Sequence, residues 1–472
     1  MQNYGLYQLY SNIVAYLVLL EGGVGSALLY RLYKPVDDDD KEKLNSVMSA
    51  GRTIFNLIGL AITLVGVIIS FFITFFTDTI VGSKMYMQLT FLLFLASQVV
   101  YYFVIPERSF YEAKQKKYVP NIIYQVTGIV KSIVEIIIVY TGHGLTTILT
   151  SLLICSLASN VIICILFKRN FKYITFKAKK DFSMLKDVKD LFINTIGNLV
   201  TNNIDIILIS KFIGVATVPI YSAYNYLVES IRQFTDKVTG ATLASVGNLL
   251  VGGKEKAVKI FNEFNHMMFY MASIICVPLF VIINKFIEIW YEGKIQTSTI
   301  WAILFVSLLL YQIIRIPLKV FTLSSGKFKK VKNFVILEII INLTLSIFLI
   351  NRLGITGILI GTVVSLLVAD FCTKPIVIYK ELLDGKYIKY YIYSICNIMF
   401  TALSAYIYYI ILPKDYSNIF ACLGIGALCI ILNTATSTIY YSLTKQFTFK
   451  ERILGMLKRT KKRSDLSNDA TN

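Results

Sequence analysis

Charged residues are scarce in this sequence. Asp, Glu, Lys and Arg make up only 16% of the 472 residues, whereas a soluble domain usually carries about 25%. Histidine occurs only at His143 and His266, which argues against a histidine-rich metal site. The 7 cysteines include no CxxC pair and nearly all lie inside apolar runs, so we expect them to be small packing residues. No basic amino-terminal region with a cleavage site is visible, which argues against a cleaved secretory signal.

Long apolar runs are what the sequence has in abundance, and 56% of its residues are hydrophobic. A run of about 20 apolar residues crosses roughly 30 Å of hydrocarbon as a helix. The strict alternation over about 10 residues that is typical of membrane β-strands is missing. The pattern predicts an all-α polytopic membrane protein with about thirteen crossings. The runs fall at 5–31, 53–76, 86–106, 119–141, 144–167, 190–212, 217–250, 262–289, 297–318, 333–351, 354–379, 390–413 and 419–444.

The net charge of +19 is distributed unevenly among the connecting segments. Segments rich in Lys and Arg, such as FKRNFKYITFKAKKDFSMLKDVKD, alternate with segments that have few, such as TGHG with none. This alternation follows the positive-inside rule, which places the basic segments and the carboxyl-terminal tail 446–472 in the cytoplasm. The surplus charge then serves topology and contact with anionic membrane lipids, and it does not indicate a nucleic-acid partner.

The predicted orientation has a consequence for the first crossing. Thirteen crossings that end inside must begin outside, which is unusual for a chain without a signal peptide. We therefore expect a fourteen-helix plan in which one more crossing precedes residue 1, either in the natural protein or in its ancestor.

An internal repeat supports this plan. Residues 5–28 and 219–242 are similar at a constant offset of 214, so that Tyr7 aligns with Tyr221 and Tyr10 with Tyr224. The first run then pairs with the seventh, and the sixth pairs with the absent first helix. Two pseudo-symmetric lobes of six helices, followed by two further helices, form a common transporter plan. The predicted divisions are a first lobe at 1–170, a second lobe at 186–380, two additional helices at 388–445 and a basic cytoplasmic tail at 446–472.

Two segments now support a family resemblance. The start YGLY followed by LLEGGVGSALLYRL resembles the second-helix region of the polysaccharide transporters, the Wzx-type O-antigen and capsule flippases of the multidrug/oligosaccharidyl-lipid/polysaccharide (MOP) superfamily. Residues 197–227, GNLVTNNIDIILISKFIGVATVPIYSAYNYL, look like the seventh and eighth helices of that family. The resemblance covers nearly the whole chain, and its specificity comes from the order and spacing of loose motifs. The sequence departs from the family in lacking the first helix, which lines one lobe in other members.

The resemblance implies a function without covalent chemistry and without a metal or cofactor. Such proteins move undecaprenyl-pyrophosphate-linked oligosaccharides from the cytoplasmic to the outer leaflet of a bacterial cytoplasmic membrane, by alternating access through a V-shaped cavity. Coupling to protons or sodium ions is left open. The implied partners are the lipid-linked oligosaccharide, membrane lipids, and the polysaccharide polymerase and glycosyltransferases of the same pathway.

Charged and polar residues recur at helical spacing inside three of the apolar runs. A charge near the bilayer centre costs at least ~2.5–3.5 kcal/mol, so it usually faces a cavity or a partner. The stripes therefore predict a shared polar interior. Its basic members, predicted to attract the pyrophosphate, are Lys131, Arg232, Lys237 and Arg315. Its acidic and polar members, predicted to line the cavity or to respond to protons or cations, are Glu21, Glu135, Asp205, Glu229, Asp236, Asn198 and Asn202.

Local pairing is the alternative for these charges. Lys131 with Glu135, and Arg232 with Glu229 or Asp236, have the spacing of intrahelical ion pairs that neutralise each other. Such pairs would hold helices together without touching a substrate.

Arg315 lies close to the end of its run, where a long basic side chain extends toward the interface. Asp370, Lys374 and Glu338 are interpreted as boundary or packing features.

Three other functions compete with transport of a lipid-linked oligosaccharide. A polysaccharide polymerase or ligase would need a large external loop for its catalytic groups, and the predicted outward connections are only roughly 2 to 9 residues long. A multidrug or cation antiporter of the related MATE branch would favour acidic and aromatic residues over basic ones. A scaffold or inactive relative would explain the absent helix.

Overall fold

The computed structural model describes residues 2–17, 21, 23–182, 204–240, 254–324, 328–383, 386–414 and 418–447. Within these ranges the chain forms helices and turns and no strand. The chain divides into two compact units, Met1–Pro219 and Ile220–Asn472. The predicted lobes have different bounds and stay a prediction.

The first unit is built from long helices joined by short turns. Two of its long helices are interrupted or followed by tight 3₁₀ turns, at Ile73–Phe76 and Val100–Val104. Its helices are α1 (Gln2–Leu17), α2 (Val24–Asp37), α3 (Lys41–Phe71), α4 (Lys84–Val99), α5 (Ile105–Ala113), α6 (Tyr118–Tyr140), α7 (Leu145–Asn170) and α8 (204–212).

Local sequence signals explain where these helices begin. The Asp40 side chain accepts a hydrogen bond from the Lys43 backbone N–H at 3.0 Å and caps α3. The Ser83 hydroxyl accepts from the Tyr86 backbone N–H at 3.1 Å and caps α4. Short polar side chains at these positions satisfy backbone donors that have no partner in the first turn.

The second unit follows the same pattern of long helices with internal breaks. Leu366–Phe371, between α14 and α15, is a π-helical turn. The helices are α9 (Val218–Gly240), α10 (Lys254–Trp290), α11 (Thr299–Ile314), α12 (Ile316–Ser324), α13 (Phe328–Leu353), α14 (Ile355–Ser365), α15 (Lys374–Leu382), α16 (Tyr387–Ile411) and α17 (Ile419–Leu443).

The all-α membrane fold is confirmed. Ten helical stretches among the described residues are long and apolar enough to cross a membrane. The predicted runs 190–212 and 217–250 lie partly outside the described residues, so the number of thirteen crossings stays a prediction. The chain is a multi-pass integral membrane protein.

Two details of the predicted runs are wrong. The first run, 5–31, is not one helix, because α1 ends at Leu17 and α2 begins after Gly23, whose φ of 83° is left-handed. Glycine adopts that conformation without a steric penalty, so the sequence GG favours the break. The helix that contains the second predicted run, α3, begins at Lys41 and not near residue 53. Arg52 therefore lies inside a helix.

Aromatic pairs hold the two equivalent helices α1 and α9 in place. In the first unit Tyr10 is fully buried, packs edge-on against Phe91 with ring centroids 5.4 Å apart, and donates to the Met87 carbonyl at 3.0 Å. In the second unit Tyr224 is fully buried and stacks on Phe305 at 5.2 Å. Both residues of the second pair follow those of the first by 214 positions. The contact therefore recurs at the offset of the sequence repeat.

Gly5 of the YGLY segment allows α1 to approach the 3₁₀ turn Val215–Thr217. A Cβ atom at Gly5 would lie 2.0 Å from the Val215 carbonyl oxygen, which is backbone and cannot rotate away. A side chain of any size would therefore push the two segments apart.

The terminal helix α17 is held by buried polar contacts. The Asn433 amide donates to the Ser273 carbonyl at 3.0 Å, and the Ser273 and Ser437 hydroxyls lie 3.2 Å apart. These contacts join α17 to α10. Hydrogen bonds of this kind are the usual polar link between helices in a membrane.

Replacing Gly5 by Ala is expected to destabilise the protein. Overpacking of this kind costs about 1–3 kcal/mol, and thermal unfolding of the detergent-purified protein measures it as a lower Tm. The matched control is Gly128→Ala, because nothing lies within 4 Å of a Cβ at that position. Equal Tm values for the two variants would show that α1 does not need its close contact with Val215.

Candidate functional site

The predicted cationic residues that are described each have an acidic neighbour. Lys131 and Glu135 lie one turn apart on α6, with Nζ 3.8 Å from the carboxylate and side chains 28% and 25% exposed. On α9, the Arg232 guanidinium donates to both carboxylate oxygens of Glu229, through Nε at 2.7 Å and through Nη2. The intrahelical pairing considered as an alternative is therefore present in both helices. Whether these residues also bind a substrate stays a prediction.

The remaining predicted residues are placed in part. Glu21 lies in the break between α1 and α2, where its carboxylate accepts from the Gly25 backbone N–H. Asp205 lies at the start of α8, close enough to Tyr16 for an electrostatic interaction. Asn198 and Asn202 lie outside the described residues, and of Asp236 and Lys237 only the backbone, within α9, is described.

A polar cluster in the first unit gathers around Arg108, which lies between the predicted runs 86–106 and 119–141. The guanidinium carbon of Arg108 lies 4.3 Å from the ring centre of Tyr101 and 4.4 Å from that of Tyr124. The Tyr124 hydroxyl donates to the Asn160 amide oxygen at 2.5 Å. Glu21 interacts electrostatically with Tyr101. Residues from four different helical segments and from the first break thus meet around one cation, which cation–π contacts stabilise.

A second unexpected cation, Arg52, joins α3 to the break between α4 and α5. Its guanidinium forms an ion pair with Glu107, which is only 2% exposed. It also donates to the Phe103 carbonyl at 2.8 Å, which lies inside the 3₁₀ turn between those helices. The Cys164 thiol approaches Glu107 at 4.0 Å from α7. Arg52 therefore contacts the chain on both sides of the break.

The second unit contains a network of four charges, in which the two acids are buried and the two bases, Arg315 and Lys374, have side chains 24% and 19% exposed. Asp370, in the π-helical turn, is 2% exposed and pairs with Arg315 at 3.4 Å and with Lys374. Arg315 also donates to the Gln312 side chain at 2.7 Å. Glu338, 5% exposed, lies close enough to interact electrostatically with Arg315 and Lys374.

This network changes the interpretation of its members. Arg315, between α11 and α12, forms an ion pair with Asp370 of the π-helical turn. Asp370, Lys374 and Glu338 are parts of one network. The network is electrically balanced, because two acids face two bases.

Helix breaks position the cations of both units. Helix α5 begins with Ile-Pro at residue 105, and α12 begins with Ile-Pro at residue 316. Proline has no N–H and cannot continue the hydrogen bonding of the preceding helix. The segments VIPERSF (104–110) and RIPLKVF (315–321) align, with Arg108 matching Lys319. This pattern is the sequence signal by which both breaks could have been found.

Replacing Asp370 by Asn removes the buried carboxylate that pairs with both Arg315 and Lys374. Removing one partner of a buried ion pair costs about 3–5 kcal/mol, so we expect a large drop in Tm. Glu288→Gln is the control, since the Lys285–Glu288 pair has side chains 29% and 48% exposed and exposed pairs contribute about 0–1 kcal/mol. A drop no larger than that of the control would contradict the network.

Two solved transporter structures have a fold similar to that of this protein. The fold is similar to that of a solved structure described as the lipid II flippase MurJ in an inward closed conformation, with a TM-score of 0.64, 16% identity, and coverage of 93% of this chain and 97% of that one. It is also similar to an inward-facing multidrug resistance MATE family transporter of the MOP superfamily, with a TM-score of 0.62, 14% identity, and coverage of 79% and 88%. At these identities the similarity establishes the fold alone.

Sequence comparison gives the family. No curated protein matches the chain. The model of a family described as polysaccharide biosynthesis protein matches residues 1–263, which is more than half of the chain. The protein therefore belongs to the polysaccharide biosynthesis protein family and has the fold of the MATE and MurJ transporters.

Proposed function

We propose that the protein moves undecaprenyl-pyrophosphate-linked oligosaccharide repeat units across the bacterial cytoplasmic membrane by alternating access, for the synthesis of O-antigen, capsule or exopolysaccharide. Membership of the polysaccharide biosynthesis family and the fold shared with a lipid II flippase support this proposal. Reaction chemistry is not part of it, since translocation needs binding and release only.

The geometry of Lys131 carries the proposal. Its ammonium lies in the middle of a membrane-spanning helix, 3.8 Å from the Glu135 carboxylate. That distance exceeds the length of a hydrogen bond, so the ion pair is loose. An ammonium has three N–H donors, and a diphosphate can accept hydrogen bonds from those that Glu135 does not use. A cation held loosely inside the membrane is suited to bind a diphosphate and then release it.

The Arg232–Glu229 pair differs from the Lys131–Glu135 pair. Two hydrogen bonds join its members, and bidentate charge-assisted bonds are strong and geometrically specific. Glu229 occupies one edge of the guanidinium and neutralises part of its charge, so an anion is bound less strongly there than by an unpaired cation. We infer that the Lys131 ammonium is available to a diphosphate without a change of partner, and that the Arg232 guanidinium is already partly neutralised by Glu229.

The membrane potential favours the export direction. Moving about two negative charges outward across an inside-negative membrane gains up to ~2.3 kcal/mol per charge per 100 mV. Coupling to protons or sodium ions would add to this gain. Glu21 and Asp205 are the acidic residues that we propose for that coupling.

A MATE-like cation antiporter is the second candidate. The proximity of Glu21 to Tyr101 and Tyr102 favours it, because acidic and aromatic groups together suit a cationic ligand. Against it, the Arg108 guanidinium lies over the Tyr101 ring and would repel a second cation there. Drug susceptibility of a strain that overproduces the protein separates the two candidates, since only the antiporter would raise resistance.

We expect Lys131→Ala and Arg232→Ala to reduce surface polysaccharide in a strain whose own gene is deleted. Loss of one charge-assisted hydrogen bond, of about 1.5–3 kcal/mol, lowers affinity for the diphosphate roughly tenfold or more. Surface polysaccharide is measured by immunoblot at equal amounts of membrane-inserted protein.

Two controls make this experiment specific. Lys285→Ala removes a basic residue that also forms an ion pair at i,i+3 spacing, but near the end of its helix. Lys131→Arg keeps the charge and should retain most activity. Normal polysaccharide in both alanine variants would refute the cationic site, and normal polysaccharide in the deletion strain would refute the function.

A further inference from the structure

Residues 171–181 of the first unit, here called the strap, follow α7 and run without helical structure along the first turns of α3. Their sequence, FKYITFKAKKD, lies within the most basic connecting segment. The strap begins at Phe171, which is 8% exposed and packs against Phe110, Tyr111 and Phe167 with ring centroids 4.9, 5.2 and 5.3 Å away.

Three polar side chains on one face of α3 bind the strap backbone. Asn45 donates to the Tyr173 carbonyl at 3.2 Å and accepts from the Thr175 N–H at 2.6 Å. Ser49 donates to the Thr175 carbonyl at 3.3 Å, and its hydroxyl oxygen also accepts from the backbone N–H of residue 178 at 3.1 Å. Ser46 donates to the carbonyl of residue 179 at 2.6 Å. A non-helical segment thus has its backbone groups satisfied by a helix.

The same face of α3 continues to Arg52, and the strap covers it there. Asn45, Ser49 and Arg52 follow one another at i, i+4 and i+7, so they lie along a single stripe. The ring centre of Phe176 is 4.2 Å from the Arg52 guanidinium carbon. Arg52 in turn bonds to Phe103 and Glu107, before and after the break between α4 and α5. The strap therefore holds the cation that bridges the break.

The strap has an anchored part and a more exposed part. Phe171, Ile174 and Phe176 pack on the core of the first unit, whereas the hydrogen bonds to the Asn45 and Ser46 side chains are exposed to solvent. The lysines of the strap, Lys172, Lys177, Lys179 and Lys180, are all exposed. Segments held by solvent-exposed backbone hydrogen bonds open at a lower free energy than the rest of a structure. Helix breaks are also the places at which helices bend.

We propose that the strap is a latch for the break between α4 and α5. While it is docked, Phe176 positions Arg52 on Glu107 and Phe103, and the break is held rigid. When it detaches, Arg52 loses its cover and the two helices can bend relative to each other. Release of the latch is a required step of transport, and this last statement alone rests on the proposed function.

Limited proteolysis of the purified full-length protein tests docking directly. Trypsin cleaves after lysine only where the backbone can leave its bound conformation, so cleavage after Lys177, Lys179 and Lys180 reports release of the strap. We expect Phe176→Ala and the double variant Ser46→Ala/Ser49→Ala to be cleaved there at least about fivefold faster than the unaltered protein, because each loses contacts of the docked state. Mass spectrometry of the fragments gives the rates.

Two further variants separate positioning of Arg52 from general loosening. Phe176→Tyr keeps an aromatic face for the guanidinium and should restore slow cleavage, whereas Phe176→Leu keeps only the apolar contact and should be cleaved fast. Thr150→Ala, whose hydroxyl bonds within α7, should leave the rate unchanged. Equal cleavage rates in all variants, or in the Tyr and Leu variants, would overturn the latch.

A reversible cross-link tests whether the latch must open. Ser46→Cys and Lys179→Cys are joined by a membrane-permeable bismaleimide with a reducible spacer, after the exposed Cys372 and Cys396 are replaced by serine. We expect surface polysaccharide to be lost in linked cells and regained after reduction. Full export by the linked protein would overturn the required release. If the deletion strain keeps its polysaccharide, the proposed function fails, whereas the proteolysis still decides whether the strap is a latch.

Discussion

The structure depends on one constraint, which is that a charge placed among membrane-spanning helices must have a partner. The cost of at least ~2.5–3.5 kcal/mol per charge is too large to leave uncompensated. Each unit meets this cost in two ways, with a partner on the same helix and with a partner in another segment. Lys131 has a neighbour on its own helix. Arg52 reaches from α3 to Glu107, and Arg315 reaches Asp370 in another segment.

The long-range pairs also explain why helices are broken. An intact helix presents its backbone carbonyls only to itself, whereas the 3₁₀ turn after α4 leaves the Phe103 carbonyl for Arg52. The π-helical turn likewise carries Asp370 into contact with two cations. Breaks of this kind are tolerated in membrane helices where neighbouring groups satisfy the freed backbone. The breaks, the cations and their partners therefore form a single arrangement in each unit.

The sequence predicts those features of the fold and of the candidate site that depend on neighbouring residues or on a repeated pattern. Apolar runs and aromatic repeats are local, so the all-α membrane fold and the equivalence of Tyr10 and Tyr224 followed from them. Arg52 and Arg108 lie at the edges of apolar runs, where hydropathy assigns a charge to the adjoining loop. Their partners come from segments distant in the chain, and no spacing rule predicts such a contact. The Ile-Pro pattern was a local signal that hydropathy alone does not use.

The central claim is that the protein binds and translocates an anionic lipid-linked oligosaccharide. Its most direct test is the purified protein in vesicles that carry undecaprenyl-pyrophosphate-linked oligosaccharide, with the amount in each leaflet measured by a membrane-impermeant glycosidase. The account predicts transfer between leaflets that depends on the protein, that a membrane potential drives toward the positive side, and that Lys131→Ala slows. An unchanged leaflet distribution in the presence of the intact protein would contradict it.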